Sequence, residues 1–507
     1  AGQLEEASGH SFVGPAAWAM QNWTVDDVIS LLQELELEEH APLFRKRKVD
    51  GLLLPKLTDE DLETELEITD RLDRKRLLAH IERRQSPSTG QVQSMPRAYS
   101  QYSEEAYVLE VQPPHKYIKE TILRDLPKGT NILREALQNG DDARASSMKF
   151  VLDRTKYPIG SLWDTRLEAY QDAALVLKSN SEFRDQDFSD FKKLHATNKD
   201  SAPDKIGRFG LGSRSYFHLA DILFVYSSGQ LLIVDPSHRV FPSGGIKFGS
   251  VSQLRKDYPD QLAPFDPYLD EHDPCTIFRL PLRSESMAAT STFSPDPYSE
   301  SDAEVLLGQF AADAGHMLLF LNSVTSIQGE RRDRDVTELL FSIDLQAPAE
   351  ARRPLLDFLR RAATFEELRK HCELGEGPPL ADYEALVRVV TNFSPPRQEQ
   401  SFRWRVLQRL LGGERRELAE ATAAKIPKLH RKPHVGIALP VGQDARLDGH
   451  AFCYFPLASR TRLPVHVHAD FVVTRNRREI QRDGEDPQDL DGDSREEYEW
   501  NGDLRSA

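Results

Sequence analysis

Cysteine is scarce: Cys275, Cys372 and Cys453 are the only three in 507 residues, they lie far apart, and none shares a C-x-x-C spacing. That excludes a disulfide framework and a cysteine zinc site, and it suits a reducing compartment, the cytoplasm or alternatively the nucleus. Long apolar runs are missing as well. The longest, such as Ile222–Tyr226 and Met317–Leu321, fall far short of the roughly 18–20 residues that cross a bilayer, so no membrane association is expected. Positive charge is in deficit, with Lys+Arg 65 against Asp+Glu 81 and a net −16. A general nucleic-acid binder is therefore unexpected, although local basic patches remain. No repeat of fixed period occurs. The chain begins at Ala1 without Met and has no charged-then-apolar leader, which raises the expectation of a fragment of a longer protein.

What is present is enough for several modest cores. Apolar residues make up 39% and charged residues 29%, above the disordered class, and at about 100–200 residues per domain roughly three domains are expected. Residues 1–21 show no period and read as a flexible leader. From Trp23 the pattern changes: Thr24, with Asp27 three residues later, precedes Val28, Leu31, Leu32, Leu35 and Leu37, an N-cap followed by an apolar stripe at helical spacing. Short helical segments follow around Ala41–Lys46, Leu52–Leu54, Asp59–Glu65 and Arg71–Arg84, which makes a small five-helix module over 22–84. The order Trp23–Val28, Phe44, Val49–Leu54, Leu57–Leu62 and Arg74–Leu78 resembles the sterile alpha motif (SAM) family, whose members bind partners or polymerise head to tail. The basic end of the last helix (Arg71, Arg74, Lys75, Arg76) opposite the acidic Asp59–Glu67 stretch would suit a head-to-tail contact, and the plainer reading is a solvated surface.

Residues 85–105, rich in Ser, Gln, Pro and Gly, read as a linker, and 284–302 read as a second linker or a long loop. Between them, Ile132, Leu133, Ala136 and Leu137 predict an amphipathic helix in which Glu135, Asn139 and Asp142 recur on one polar face. Met148–Asp153 and Ala173–Leu177 read as strands. Gly207-Arg208-Phe209-Gly210-Leu211-Gly212 then runs into a predicted helix, Ser215–Asp221. Glycines let the backbone approach an anion, and a helix N-terminus adds its positive dipole end. The loop is not a Walker A sequence, because Ser213-Arg214 stand where Lys and Ser/Thr are needed.

Glu135-x-x-x-Asn139-Gly140-Asp141-Asp142-Ala143, Gly207-x-x-Gly210-x-Gly212 and Asp273–Thr276 ahead of the strand Ile277–Leu282 together resemble the Bergerat ATP-binding fold of the GHKL superfamily, and within it the sacsin family. The likeness runs on through Leu318–Leu321, Leu463–Val467, Asn476–Arg478 and Glu499–Asn501, over about residues 106–507. The resemblance implies ATP and Mg²⁺ as cofactors. Asn139 would offer an oxygen to the metal and Glu135 would orient and deprotonate the attacking water. Asp142 would lie on the adenine side, Thr276 would contact adenine, and Gly207, Phe209, Gly210 and Gly212 would contact phosphate and hinge a lid. The superfamily's Asp-x-Gly-x-Gly segment is absent; Leu177–Phe183 stands in its place, with Ser179 or Asn180 where the adenine-binding carboxylate is usual. Replacing a charge-assisted bond by a neutral one costs on the order of 1–2 kcal/mol, about tenfold in affinity.

Residues 303–507 alternate helical stretches (Glu304–Leu321, Pro354–Arg369) with strands (Ser401–Leu407, Val435–Leu439, Ala451–Pro456, Val465–Thr474). Arg475, Arg477 and Arg478 are candidates for a γ-phosphate contact, with solvated arginines as the alternative. His466, His468 and Asp470 alternate along a strand, which is a poor metal site without ligands from other elements. Asp489, Asp491 and Asp493 are not an EF-hand loop, because Pro487 and Tyr498 stand at its end positions. The expected architecture is multidomain: an all-α SAM domain, a two-layer α/β Bergerat domain over 106–283, and a middle-type α/β domain over 303–507. The expected function is that of an ATP-binding, chaperone-like protein that acts on client proteins, with SAM–SAM contacts leading to a homo-oligomer. The alternative is a non-catalytic, nucleotide-sensing scaffold.

Overall fold

The structure is a computed structural model. It describes residues 24–34, 37–50, 53–54, 57–70, 73–74 and 77–78, and then 106–108, 118–124, 128–185, 187–188, 212–241, 244–270, 274–361, 380–410, 434–442, 447–474, 479–481 and 492–505. The chain divides into two units, Ala1–Gln101 and Tyr102–Ala507.

In the first unit the helix Val25–Glu34 places Val28, Leu31 and Leu32 on one buried face, as their spacing requires. A single 3-10 turn, Glu38–His40, leads into the helix Ala41–Arg47, which stops where Lys48 turns left-handed at φ 53°. The helix Asp59–Thr64 opens with a capping box. The Thr58 hydroxyl accepts the Asp61 N–H at 3.2 Å, and the Asp61 carboxylate accepts the Thr58 N–H at 2.8 Å. Val28, Leu32, Phe44, Leu54, Leu62, Ile68 and Leu77 share one core. Arg74 corrects the expectation of a basic outer face. Its side chain is 6% exposed, paired with Asp59 at 3.2 Å and Glu63 at 3.4 Å, and it donates to the Ile68 and Thr69 carbonyls. A guanidinium so engaged holds its own unit together. Lys75 and Arg76 lie outside the described residues.

The second unit is built on one mixed sheet of fifteen described strands. They are β1 (Ala106–Val108), β2 (Ser147–Asp153), β3 (Ala174–Ser179), β4 (Leu223–Ser227), β5 (Gln230–Val234), β6 (Gly245–Phe248), β7 (Thr276–Pro281) and β8 (Ser326–Asp333), followed by β9 (Val336–Gln346), β10 (Ala381–Thr391), β11 (Gln398–Leu410), β12 (His434–Pro440), β13 (His450–Cys453), β14 (Phe455–Arg460) and β15 (His466–Ala469). The order across the sheet is β1-β6-β5-β4-β7-β3-β2-β8-β9-β10-β11-β12-β15-β13-β14. The parallel pairing of β2 with β8, Ser147 opposite Ser326 through Asp153 opposite Arg332, joins the earlier strands to the later ones. The chain is thus multidomain, with helices and a large mixed α/β sheet.

The helix Asn131–Asp142 buries Ile132, Leu133, Ala136 and Leu137 in the main core, and the helix Glu300–Ala314 adds Leu306, Leu307 and Phe310, whose ring meets Phe150 edge-on at 5.3 Å. The 3-10 turn Met317–Phe320 is wholly buried. Residues 284–302 contain one helical turn, Glu285–Ala288, and Tyr298 donates its N–H back to the Arg283 carbonyl at 2.8 Å. A smaller core gathers Phe471, Val472, Ile480, Trp500 and Leu504. Within it the Trp500 indole donates to the Asp470 carbonyl at 3.0 Å, while Asn501 accepts from the Val472 N–H and donates to the Val472 and Gln481 carbonyls.

Candidate functional site

The helix Asn131–Asp142 distributes its polar residues among different tasks. Asp141 is buried, and its carboxylate accepts the backbone N–H groups of Ser323 and Val324 at 2.7 and 2.8 Å and of Asn322 at 3.1 Å. Burial raises its pKa, opposed by those three N–H groups and by the Arg352 charge. Asp141 therefore ties the helix to the turn ahead of β8. Asp142 is half-buried, and a β-carbon at Gly140 would require the Met148 side chain to move.

Glu135 and Asn139, one helical turn apart, face the 3-10 helix Gly212–His218, Glu135 at Gly212 and Asn139 at Tyr216. A β-carbon on Gly212 would run into the Glu135 carboxylate, so the last glycine of the loop lies directly against that side chain. The Asn139 amide Nδ2 approaches the Tyr216 hydroxyl at 3.4 Å. Its carboxamide oxygen is then the end that can serve a cation, which fits Mg²⁺ as the metal the sequence implies. Tyr216 is buried and its phenol is pushed up, first by burial and then by the Glu135 charge, so it stays neutral as a hydrogen-bonding partner. Sequence reasoning assigned Tyr216 no role; its position one turn after Gly212 was the available signal. The 3-10 helix is anchored at its other end by Arg283, which pairs with buried Asp221 at 2.7 Å and donates to the Phe217 and His218 carbonyls.

The Tyr216 ring meets Phe278 of β7 edge-on at 5.7 Å. Two residues earlier on the same face of that strand is Thr276, paired across the sheet with Ser179. Here the side chains form a hydroxyl cluster. Thr276 donates to the Ser181 carbonyl at 2.8 Å and lies 2.9 Å from the Ser227 hydroxyl, while Ser179 lies 3.1 Å from the Ser181 hydroxyl. Asn180 is engaged elsewhere. Its oxygen accepts the Ser146 and Ser147 N–H groups at 2.9 and 3.0 Å, and its amide donates to the Ser146 hydroxyl. Of the two candidates for the missing adenine-side carboxylate, only Ser179 belongs to the hydroxyl cluster. The structure thus gathers Glu135, Asn139, Gly212 and Tyr216 at one place and Ser179 and Thr276 at another, linked through Phe278. Gly207, Phe209, Gly210, Asp273, Arg475, Arg477, Arg478, Asp489 and Asp491 lie outside the described residues.

The Sacsin domain family matches residues 112–340, and the SAM domain (sterile alpha motif) family matches residues 21–85. The chain carries a SAM domain followed by a Sacsin domain. Human sacsin (Homo sapiens) is 29% identical over 398 residues, 73% of this chain and 8% of that protein, so the chain spans a small part of its relative's length. Among solved structures, the crystal structure of the N terminal domain of a DNA repair protein aligns at TM-score 0.31 and 12% identity over 77% of this chain and 96% of that one. The Sacsin domain match contains every candidate residue on the Asn131–Asp142 helix, the glycine loop and Thr276.

Two other polar groupings were weighed for metal. His466 and His468 of β15 both turn their rings inward. His466 Nδ1 accepts the His450 N–H at 3.1 Å and its Nε2 lies 3.4 Å from His316 Nδ1; His468 Nδ1 accepts the Tyr454 N–H at 3.2 Å and its Nε2 lies 3.3 Å from His434 Nδ1. Among the described residues the one trio of metal-type side chains is Glu39, His40 and Asp73 of the SAM domain. No described helix is long and apolar enough to cross a membrane.

Proposed function

We propose that the Sacsin domain forms a Bergerat-type, GHKL-class ATP-binding domain, completed by a middle-type domain in the later strands, and that the SAM domain recruits a protein partner or a second copy. The observation that carries this reading is the placement of Glu135 against Gly212, the last glycine of the phosphate-type loop, with Asn139 on Tyr216 of the same 3-10 helix. Asn139 would hold Mg²⁺ through its carboxamide oxygen, and the metal when bound would neutralise phosphate charge. Glu135 would orient and deprotonate water. Thr276 and Ser179 would face the base, with Asp142 on the same side, and Gly207, Phe209 and Gly210 would complete the loop. The chain would do chaperone-like work on client proteins in the cytoplasm, and the tie of Asp141 to the turn ahead of β8 would couple the Glu135 helix to the later strands.

Calorimetry with Mg²⁺-ATP and ADP, together with phosphate release measured against Glu135→Ala, tests the reading. Micromolar binding with hydrolysis lost in the variant is expected; absence of nucleotide binding overturns it. A second reading, a non-catalytic nucleotide sensor or scaffold, draws on one observation: the adenine side presents neutral hydroxyls, with Asn180 committed to the 146–147 backbone. Binding of ATP without release of phosphate above the Glu135→Ala variant selects that reading.

A further inference from the structure

Away from the nucleotide site, the later strands and the helix Ala349–Arg361 line an open cavity of about 890 Å³, within the size range of small-molecule sites. Its apolar surface comes from Leu345 at the end of β9, Leu356 on the helix Ala349–Arg361 and Leu386 on β10. Its charged lining is three guanidiniums, Arg352, Arg353 and Arg403, against one carboxylate, Glu384, a local excess of positive charge in a chain of net charge −16.

The partners of these groups decide what the cavity can hold. Glu384 is drawn toward Arg405, a residue outside the lining, at 3.7 Å. Arg352 is buried, donates to the Leu321 carbonyl at 2.6 Å and faces the Asp141 charge, so it is balanced from behind. Among the described residues Arg353 pairs with Asp357, an exposed contact at 3.6 Å that contributes little in water. Among the described residues no acidic side chain pairs with Arg403. Two weakly compensated guanidiniums beside an apolar surface call for a ligand with an oxyanion head, which matches their planar fork, and an apolar body that covers the leucines.

We infer that this cavity is a binding site for an amphipathic organic anion, a carboxylate or phosphate monoester on a short apolar chain. It is separate from the nucleotide site and its test needs no nucleotide. Octanoate is the probe, titrated calorimetrically into the full chain, with acetate and 1-octanol as controls for charge alone and chain alone. Saturable octanoate binding is expected, at least tenfold tighter than either control and weakened at least tenfold by Arg403→Glu. Octyl phosphate in place of octanoate tells which head binds more tightly, and saturable binding of either supports the site. Leu386→Trp, which fills the cavity without touching its charge, is expected to abolish binding in protein whose thermal unfolding matches the parent. Affinity equal to that of acetate or octanol, or octanoate binding left intact in both variants, overturns the inference.

Discussion

The helix Asn131–Asp142 and the strand β15 are both dense in polar residues, and they use them in opposite ways. On β15 both histidines are taken up by the fold: each accepts a backbone N–H on Nδ1 and turns Nε2 to a second histidine. On the helix Asp141 is taken up in this manner, while the Glu135 carboxylate lies against Gly212 and the Asn139 amide meets the Tyr216 hydroxyl. What a pattern of polar residues does is therefore decided by the partners that register and tertiary packing bring to it.

The most forceful way to break this contrast is to remove the structural member of the helix. Asp141→Ala strands three backbone N–H groups and leaves Arg352 without its buried countercharge, and it is expected to destabilise the second unit by about 3–5 kcal/mol. A shift of the urea midpoint at constant slope measures it; a change under about 1 kcal/mol would show that the turn at 322–324 finds other acceptors.

Acidification tests the β15 side. Burial, with the His316 charge second, pulls His466 from its ordinary 6.5 down to about 3; burial also holds His468 well below 6.5 and lowers His316. In the unfolded chain these rings protonate near 6.5, whereas in the fold they stay neutral. Stability is thus full above pH 6.5 and lost as pH falls toward about 3. The expected slope is about 1.4 kcal/mol per pH unit for each histidine kept neutral. Urea midpoints at pH 7.5, 6 and 5 measure it, and a flat profile would mean that the rings protonate within the fold. In the SAM unit, Arg74→Met is expected to cost about 2–3 kcal/mol through the Ile68 and Thr69 carbonyls it leaves bare. A melt of the SAM unit's own transition that is unchanged would return Arg74 to the surface role its charge suggested.

What the sequence made legible divides along the same line. The stripe Ile132, Leu133, Ala136 and Leu137 yields the helix, and strands β2 and β3 follow an alternating stretch and a continuous apolar run, because local pattern and burial agree. The β8–β9 hairpin was not legible. Its outer half, Glu330–Asp333, is charged, and its alternation breaks at a bulge beside Gly329, where a β-carbon would strike the Phe341 ring. The meeting of Glu135 with Gly212 is what the family resemblance implies. The capture of Asn180 by residues 146–147 could not be anticipated, since it depends on the β2–β3 register. Arg74 shows the same limit, because a charge run does not say which of its members turns inward.

The smallest expected effect is the sharpest test of the contrast. Glu135 is nearly buried, 8% exposed, yet its carboxylate faces Gly212, where ligand chemistry would take place. If the helix really separates folding groups from site groups, Glu135→Gln should leave stability within about 0.5 kcal/mol of the parent, since the isosteric amide keeps the volume and the helix keeps its core face. The same variant should keep ATP affinity within a few-fold while phosphate release falls by at least a hundredfold, the loss of a positioned general base. Urea unfolding and nucleotide titration on one preparation decide it. A destabilisation comparable to that of Asp141→Ala would place Glu135 among the folding residues and remove the asymmetry on which the catalytic reading stands.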